Sequence, residues 1–277
     1  MKPTAPLAPI APSLFNTILV IPVVNTLLFF NFIFASIHLP GSFGFSIIAL
    51  TIAIRMLLNP ASKQQLELAK RMQEAKPHLD KLTEKHKDDK KKLQEEQMKL
   101  YKEMGVNPAA GCLYALVQIP VFIGLYNALN LFLAHGTFDK VAGAINKVVY
   151  FDFLKTASIN PWFFGFNVGI APATFQQNGV HYLIIPVITA ILQYYQVKVT
   201  TAQQGAPIVK KTDKKDLEKK ADMQSMMSSQ MLYIFPLMIG YFAYALPVGL
   251  SLYWNIFSLF TIFQYKGSPL TIWKNRK

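Results

Sequence analysis

A single cysteine, Cys112, stands among 277 residues. It excludes an intrachain disulfide, and a lone thiol makes no metal site. Cys112 reads as a small packing residue at a helix start. Charge is scarce too. Only 16% of residues are charged, fewer than a soluble domain of this size carries. The five histidines show no metal-ligand spacing. His78 and His86 fall in a charged segment, while His38, His135 and His181 fall near the ends of apolar runs, and all read as structural. No nucleophile–base constellation, P-loop or dinucleotide glycine pattern is found. The expectation is a protein that is not an enzyme and uses no cofactor or metal. No internal repeat is detected, and the start lacks the basic cluster of a cleavable secretory signal.

What the chain does have is apolar sequence. Hydrophobic residues make up 52%, and mean hydropathy is +0.27. They gather in runs long enough to cross a bilayer, which takes about 20 residues per helix. The net charge of +13 would by itself suit nucleic acid. The bases lie between apolar runs, however, so a membrane explains them better and sequence-specific nucleic-acid binding is not expected.

Five spans are predicted, at 43–61, 108–133, 181–199, 230–246 and 248–265. Pro40 and Gly41 break the chain before the first, and Pro247 turns the last two into a hairpin of spans. Residues 1–12, with four prolines, read as an extended tail. Residues 13–38 are apolar but interrupted by Asn16, Thr17, Pro22, Asn25, Thr26 and Asn31. They read as an interfacial helix or an extra span, and periodicity does not decide between them. Residues 62–106 hold twelve Lys/Arg and nine Asp/Glu, and residues 200–229 hold six lysines. The 266–277 tail is basic. Residues 134–180 hold only Lys140, Lys147 and Lys155. Lys/Arg bias sets orientation. It places the two charged segments and the tail in the cytoplasm and 134–180 outside, in a multi-pass membrane protein.

The charged segment reads as a helical hairpin turning at Asp88-Asp89. Leu66, Ala69, Met72, Ala75, Leu79 and Leu82 form one narrow apolar stripe. Leu93, Leu100 and Met104 form the other, with Gln97 in the gap. Pro77 is expected to kink the first helix. Gly105 suits a helix end and Asn107-Pro108 the next helix start. The hairpin is either a plain solvated coil or an arm that meets anionic lipid, ribosome or client.

Arg55 is the sharpest single feature. It lies eight residues before Lys63, roughly 12 Å inside the boundary of the first span. A charge there costs at least about 2.5 kcal/mol on insertion scales. All fifteen acids fall at 67–103, at Asp139 and Asp152, or at 213–222, so none lies inside a span. The charge of Arg55 is therefore expected to be met by water, lipid phosphate or another molecule; snorkelling to the headgroups is the plainer alternative. Polar stripes on other spans could line a wet cavity. Thr51 shares the Arg55 face. Thr189, Gln193, Gln196 and Thr200 share another, Ser251, Asn255 and Ser258 a third with Trp254 beside them, and Tyr114 and Gln118 pair. Interhelical hydrogen bonding would also account for any one stripe. Met223, Met226, Met227 and Met231 read as packing residues or as a soft surface for apolar clients.

Phe43-Gly44-Phe45-Ser46-Ile47-Ile48 with Thr51 and Arg55 ahead of Pro60 resembles the first conserved span of the YidC/Oxa insertases. Gly105-Val106-Asn107-Pro108 with Gly111-Cys112, then Gln118-Ile119-Pro120-Val121-Phe122 and Leu125-Tyr126, resemble that family's second span and its junction. Pro247-Val248-Gly249-Leu250 and Leu252-Tyr253-Trp254-Asn255 resemble its last. The likeness covers about residues 40–266. It implies an all-α integral membrane fold, with a five-span helical core, a cytoplasmic helical hairpin and an outer interfacial helix at 13–38. It implies a client-binding groove open to cytoplasm and lipid, with Arg55 inside it. Thr51, Gln118, Gln193, Gln196, Trp254, Asn255 and Ser258 are its expected companions. The implied partners are nascent membrane proteins and the phospholipid bilayer, with the ribosome and the Sec translocon as further candidates. Unlike some members, the sequence shows no large extracellular domain or lipoprotein-type start, and its basic tail is short. Its 134–180 segment, with Trp162, Phe163 and Phe164, is longer than the usual connection and is expected to rest on the outer membrane surface. The main rival is a small-solute or ion transporter, which would place ionisable pairs or broken repeats near the midplane. A purely structural scaffold would need no buried arginine.

Overall fold

The computed structural model describes residues 13–86, 89–105, 110–133, 139–156, 158–203 and 223–266. The proline-rich start, Asn107-Pro108, most of the second charged segment and the tail beyond Lys266 lie outside the described residues. So do Asp88, His135 and the side chains of Cys112, Tyr114, Met223, Met226, Met227 and Met231.

The protein is an all-α membrane protein. A π-helical turn, Asn16–Val20, leads into α1 (Ile21–Ser36). Then come α2 (Ser42–Leu57), α3 (Asn59–Lys85), α4 (Lys90–Glu103), α5 (Ala110–Leu133) and α6 (Asp139–Ile145). A two-residue hairpin ladder pairs β1 (Trp162–Phe163) with β2 (Phe166–Asn167). It is followed by α7 (Phe175–Asn178), α8 (Ile184–Gln203), α9 (Met223–Ala245) and α10 (Val248–Lys266). Among the described residues, Asn16–Ser36 and Val180–Thr201 are each long and apolar enough to cross a membrane, and α2 with α3 passes the same test as a broken pair.

The chain forms two units. The first comprises residues 1–56, 118–190 and 239–257, the second 57–117, 191–238 and 258–277. In the first unit α1 buries asparagines beside Val24, Leu27 and Leu28 and leaves large apolar side chains bare. Asn25 and Asn31 of α1 are buried, while Ile18, Phe29, Phe32, Ile33 and Ile37 are exposed. Polar side chains turned inward and apolar ones outward suit a lipid solvent. With lipid outside, burial of apolar surface gives little drive, and close packing does the work instead. Small residues allow it. A Cβ on Gly240 of α9 would stand 2.9 Å from the Ala190 Cβ of α8. A side chain on Gly44 of α2 would fall within the Phe163 ring.

The segment expected to be an outer loop is a folded cap belonging to the first unit. Asn25 ties it to α1: its Nδ2 donates to the Val148 carbonyl at 3.0 Å and its Oδ1 accepts the Tyr150 N–H at 2.6 Å. Asn146 and Thr156 exchange a second pair. The first amides of a helix lack intrahelical acceptors. At α10 the cap provides them: Val248 N–H donates to Ile170 at 3.0 Å and Gly249 N–H to Val168 at 2.8 Å. Lys155 reaches Asp152 at 2.6 Å, and this ammonium holds the Asp152 carboxyl below the usual carboxylate range.

In the second unit α3 packs against α4. Leu66, Ala69 and Ala75 are buried, and Met72, Leu79, Leu82, Leu93, Gln97 and Leu100 half-buried. Asp89 caps α4, accepting from Lys92 N–H at 3.0 Å. Gly105 follows the helix at φ +62°, which its missing side chain permits. Pro77 lies inside an α3 that continues past it, because its neighbours carry the helix over the one lost hydrogen bond.

Candidate functional site

The first correction concerns the end of the first span. It was expected to run through Ala61, leaving Arg55 well inside. Instead α2 stops at Leu57, and Arg55 occupies its last turn. Pro60 supplies the reason. It has no N–H for the Met56 carbonyl, and it fits the first turn of a new helix, where α3 accepts it. A cation at a helix C-terminus is favoured by roughly 0.3–1 kcal/mol.

Arg55 is nonetheless only 3% exposed. Its guanidinium carbon sits 4.3 Å from the centroid of the Phe257 ring. One of its contacts is thus the face of an aromatic ring. A desolvated cation–π contact of this kind contributes about 2 kcal/mol. Thr51 is fully buried one turn earlier, and its hydroxyl donates to the Ile47 carbonyl at 2.6 Å.

Three more members of the predicted set belong to the same unit. Gln118 Nε2 donates to the Tyr253 hydroxyl of α10 at 2.8 Å. Trp254 is buried, stacked on Phe122 with centroids 5.3 Å apart and planes 14° apart. Asn255 keeps its Oδ1 buried, and no described group donates to it. In the second unit Ser258 Oγ donates to Gln193 Oε1 at 3.2 Å, and both residues are buried. Gln196 Oε1 is buried without a described donor. The Thr189 and Thr200 hydroxyls are turned onto their own helix, donating to Ile185 and Gln196 carbonyls at 2.8 and 3.0 Å.

The sites therefore contain two kinds of group. Some are engaged in neutral hydrogen bonds between helices. Others, the amide oxygens of Gln196 and Asn255, are acceptors in want of an N–H or O–H. Among the described residues there is no group of three or more His, Cys, Asp or Glu that could hold a metal ion.

Sequence reasoning missed Phe257. The available signal was spacing: Phe257 follows Tyr253 by four positions and Trp254 by three, so all lie near one face of α10. An aromatic in an apolar helix does not announce a cation partner. Tyr253 has a role that its place in the motif does not show: its hydroxyl accepts from Gln118.

Comparison with known proteins bears on these residues. The family described as 60Kd inner membrane protein matches residues 17–267. The chain is 33% identical over 226 residues to inner membrane ALBINO3-like protein 1, chloroplastic, of Chlamydomonas reinhardtii, covering 79% of this chain and 42% of that one. It is 31% identical over 271 residues to membrane protein insertase YidC of Oceanobacillus iheyensis, covering 94% and 85%. To membrane protein insertase MisCA of Bacillus subtilis it is 32% identical over 228 residues, covering 80% and 69%. The chain spans 42–50% of the length of the chloroplast relatives. With a family match running from the π-helical turn to the end of α10, this chain belongs to the 60Kd inner membrane protein family, the YidC/Oxa family.

Proposed function

We propose that this chain is a membrane protein insertase, moving nascent membrane proteins from the cytoplasm into the lipid bilayer through a polar groove. The observation that carries the reading is Arg55, a cation kept in an apolar helix and held on the Phe257 ring. Burying a charge in a membrane protein is costly and marks a working site by default. The family match supports the same reading.

The topology in this reading is five core spans in a cell inner (plasma) membrane. The α3–α4 hairpin, the second charged segment and the C-terminus face the cytoplasm, following the Lys/Arg bias. The hairpin receives the client, and the ribosome and Sec translocon are proposed to deliver it. Thr51, Gln118, Gln193, Gln196, Trp254, Asn255 and Ser258 contact the client. A polar or acidic client segment displaces Phe257 from the guanidinium. At an effective dielectric near 20, an ion pair 4 Å apart contributes about 4 kcal/mol, against about 2 for the cation–π contact. Before desolvation of the incoming group is counted, the attraction is therefore larger for a carboxylate than for the ring. The orphan amide oxygens of Gln196 and Asn255 accept from client backbone N–H groups or water. Apolar client segments pass sideways into lipid, whose packing supplies the free energy.

The test is client insertion into proteoliposomes, read by protease protection. With a client bearing an acidic translocated segment, Arg55→Ala is expected to lower insertion severalfold and Arg55→Lys to retain most of it. Equal insertion by Arg55→Ala would sink the groove mechanism. In a Cys112-free background, Gln193→Cys, Gln196→Cys and Asn255→Cys are expected to react with a water-soluble maleimide. Complete protection from both sides would identify a dry bundle, and solute uptake without client insertion would favour the transporter.

A further inference from the structure

We infer that the cap between α5 and α8 is a bilayer-interface anchor, docking on phospholipid through Tyr150, Phe151, Phe153, Trp162 and Phe164. All five are more than half exposed, within one short stretch of chain. Soluble surfaces rarely gather so much bare aromatic area. Phe164 is the extreme case: it is 78% exposed and sits at φ +47°, in the left-handed region. A phenylalanine held there is strained, and such strain persists where the surroundings fix it for a use. The next residue, Gly165 at φ +85°, completes the β1–β2 turn without that strain. The hairpin thus presents a ring outward at a cost that water would not offset.

The lipid surface is favoured over a protein partner by continuity. The Phe153 ring meets Phe32 of α1 edge-on at 5.4 Å and stacks on Phe151 at 5.6 Å. Phe32 belongs to the exposed apolar side of α1, whose asparagines are buried. Whatever covers that side of α1 reaches the cap without a break. Lys155 and Asp152, paired and exposed, border the aromatic face with charge. Aromatic rings with a polar border are what a headgroup region selects. Beside the rings lies an apolar recess of about 440 Å³, lined by Leu39, Phe45, Trp162, Phe163 and Phe164 among others, a size that accepts part of an acyl chain. The anchor does not depend on how clients are handled.

The test uses the full chain in liposomes with Trp254→Phe and Trp273→Phe, so that Trp162 is the sole tryptophan, and with far-UV circular dichroism confirming its helices. Lipids brominated near the headgroup are expected to quench Trp162 about twofold or more, while iodide on both sides quenches weakly, as for an interfacial ring. Phe164→Gly relieves the strain and removes the ring; it should keep the fold and reduce lipid quenching. Strong iodide quenching with none from brominated lipid would overturn the anchor, because the face would be in water. Protection from both quenchers would overturn it too, because a second protein surface would then be the cover. Unchanged lipid quenching in Phe164→Gly would remove Phe164 from the anchor.

Discussion

Replacing Gly44 with alanine adds one methyl group to α2 and is expected to unseat the cap. The new Cβ would overlap Cγ and Cδ2 of Phe163 and stand 2.8 Å from its Cβ. Carbon atoms pack at about 3.5–4.0 Å, so the ring must retreat by more than an ångström. Rotating the ring cannot help, since the Phe163 Cβ is itself too close; the β1 backbone has to move. Overpacking of this kind costs about 1–3 kcal/mol. The retreat also breaks ring contacts of Phe163 with Phe45 at 5.1 Å and Phe164 at 4.7 Å, each contributing about 0.5–1.5 kcal/mol. Gly44→Ala should therefore destabilise the first unit by about 2–6 kcal/mol, combining the overpacking and aromatic ranges. The assay is thermal unfolding in detergent micelles, with protease cleavage of residues 160–166 as the local probe. A double-mutant cycle isolates the cause. Gly44→Ala on top of Phe163→Gly, which removes the Cβ along with the ring, should cost almost nothing more, giving a coupling about as large as the Gly44→Ala cost itself. If the two changes instead add within about 0.5 kcal/mol, or if Gly44→Ala melts like the parent, the close approach is not what holds the cap.

Two further substitutions probe other joints of the first unit. Asn25→Leu makes α1 more apolar yet leaves the Val148 carbonyl and Tyr150 N–H without their partner, at about 1–3 kcal/mol; faster amide exchange at Tyr150 checks it, and unchanged exchange would refute it. Gly240→Ala should cost about 1–3 kcal/mol by forcing α8 and α9 apart, with Ala190→Gly restoring most of the loss in the same melt.

The parts that could be read from the sequence share a cause: local contrast. Arg55 stands out because a charge in an apolar run has few explanations. The hairpin stripes stand out because every other face carries lysine or glutamate. Pro60 was a boundary signal left unread, since its missing N–H acts on a carbonyl four residues earlier. The folded cap was not legible. Its anchors are one buried asparagine, a glycine that receives a distant ring, and two amides of α10 that donate to backbone carbonyls. Each depends on a partner more than a hundred residues away or on backbone atoms, and neither leaves a periodic trace. Phe257 was illegible for a related reason: its ring matters through what rests on it.

The notch at Gly44 also has a timetable. α2 leaves the ribosome long before Phe163 exists. At ~5–20 residues per second, the roughly 120 residues between them take about 6–24 s to synthesise. For that interval the helix carries a vacant hollow that lipid or a neighbouring chain can enter, so the later-made cap must evict whatever arrived before it.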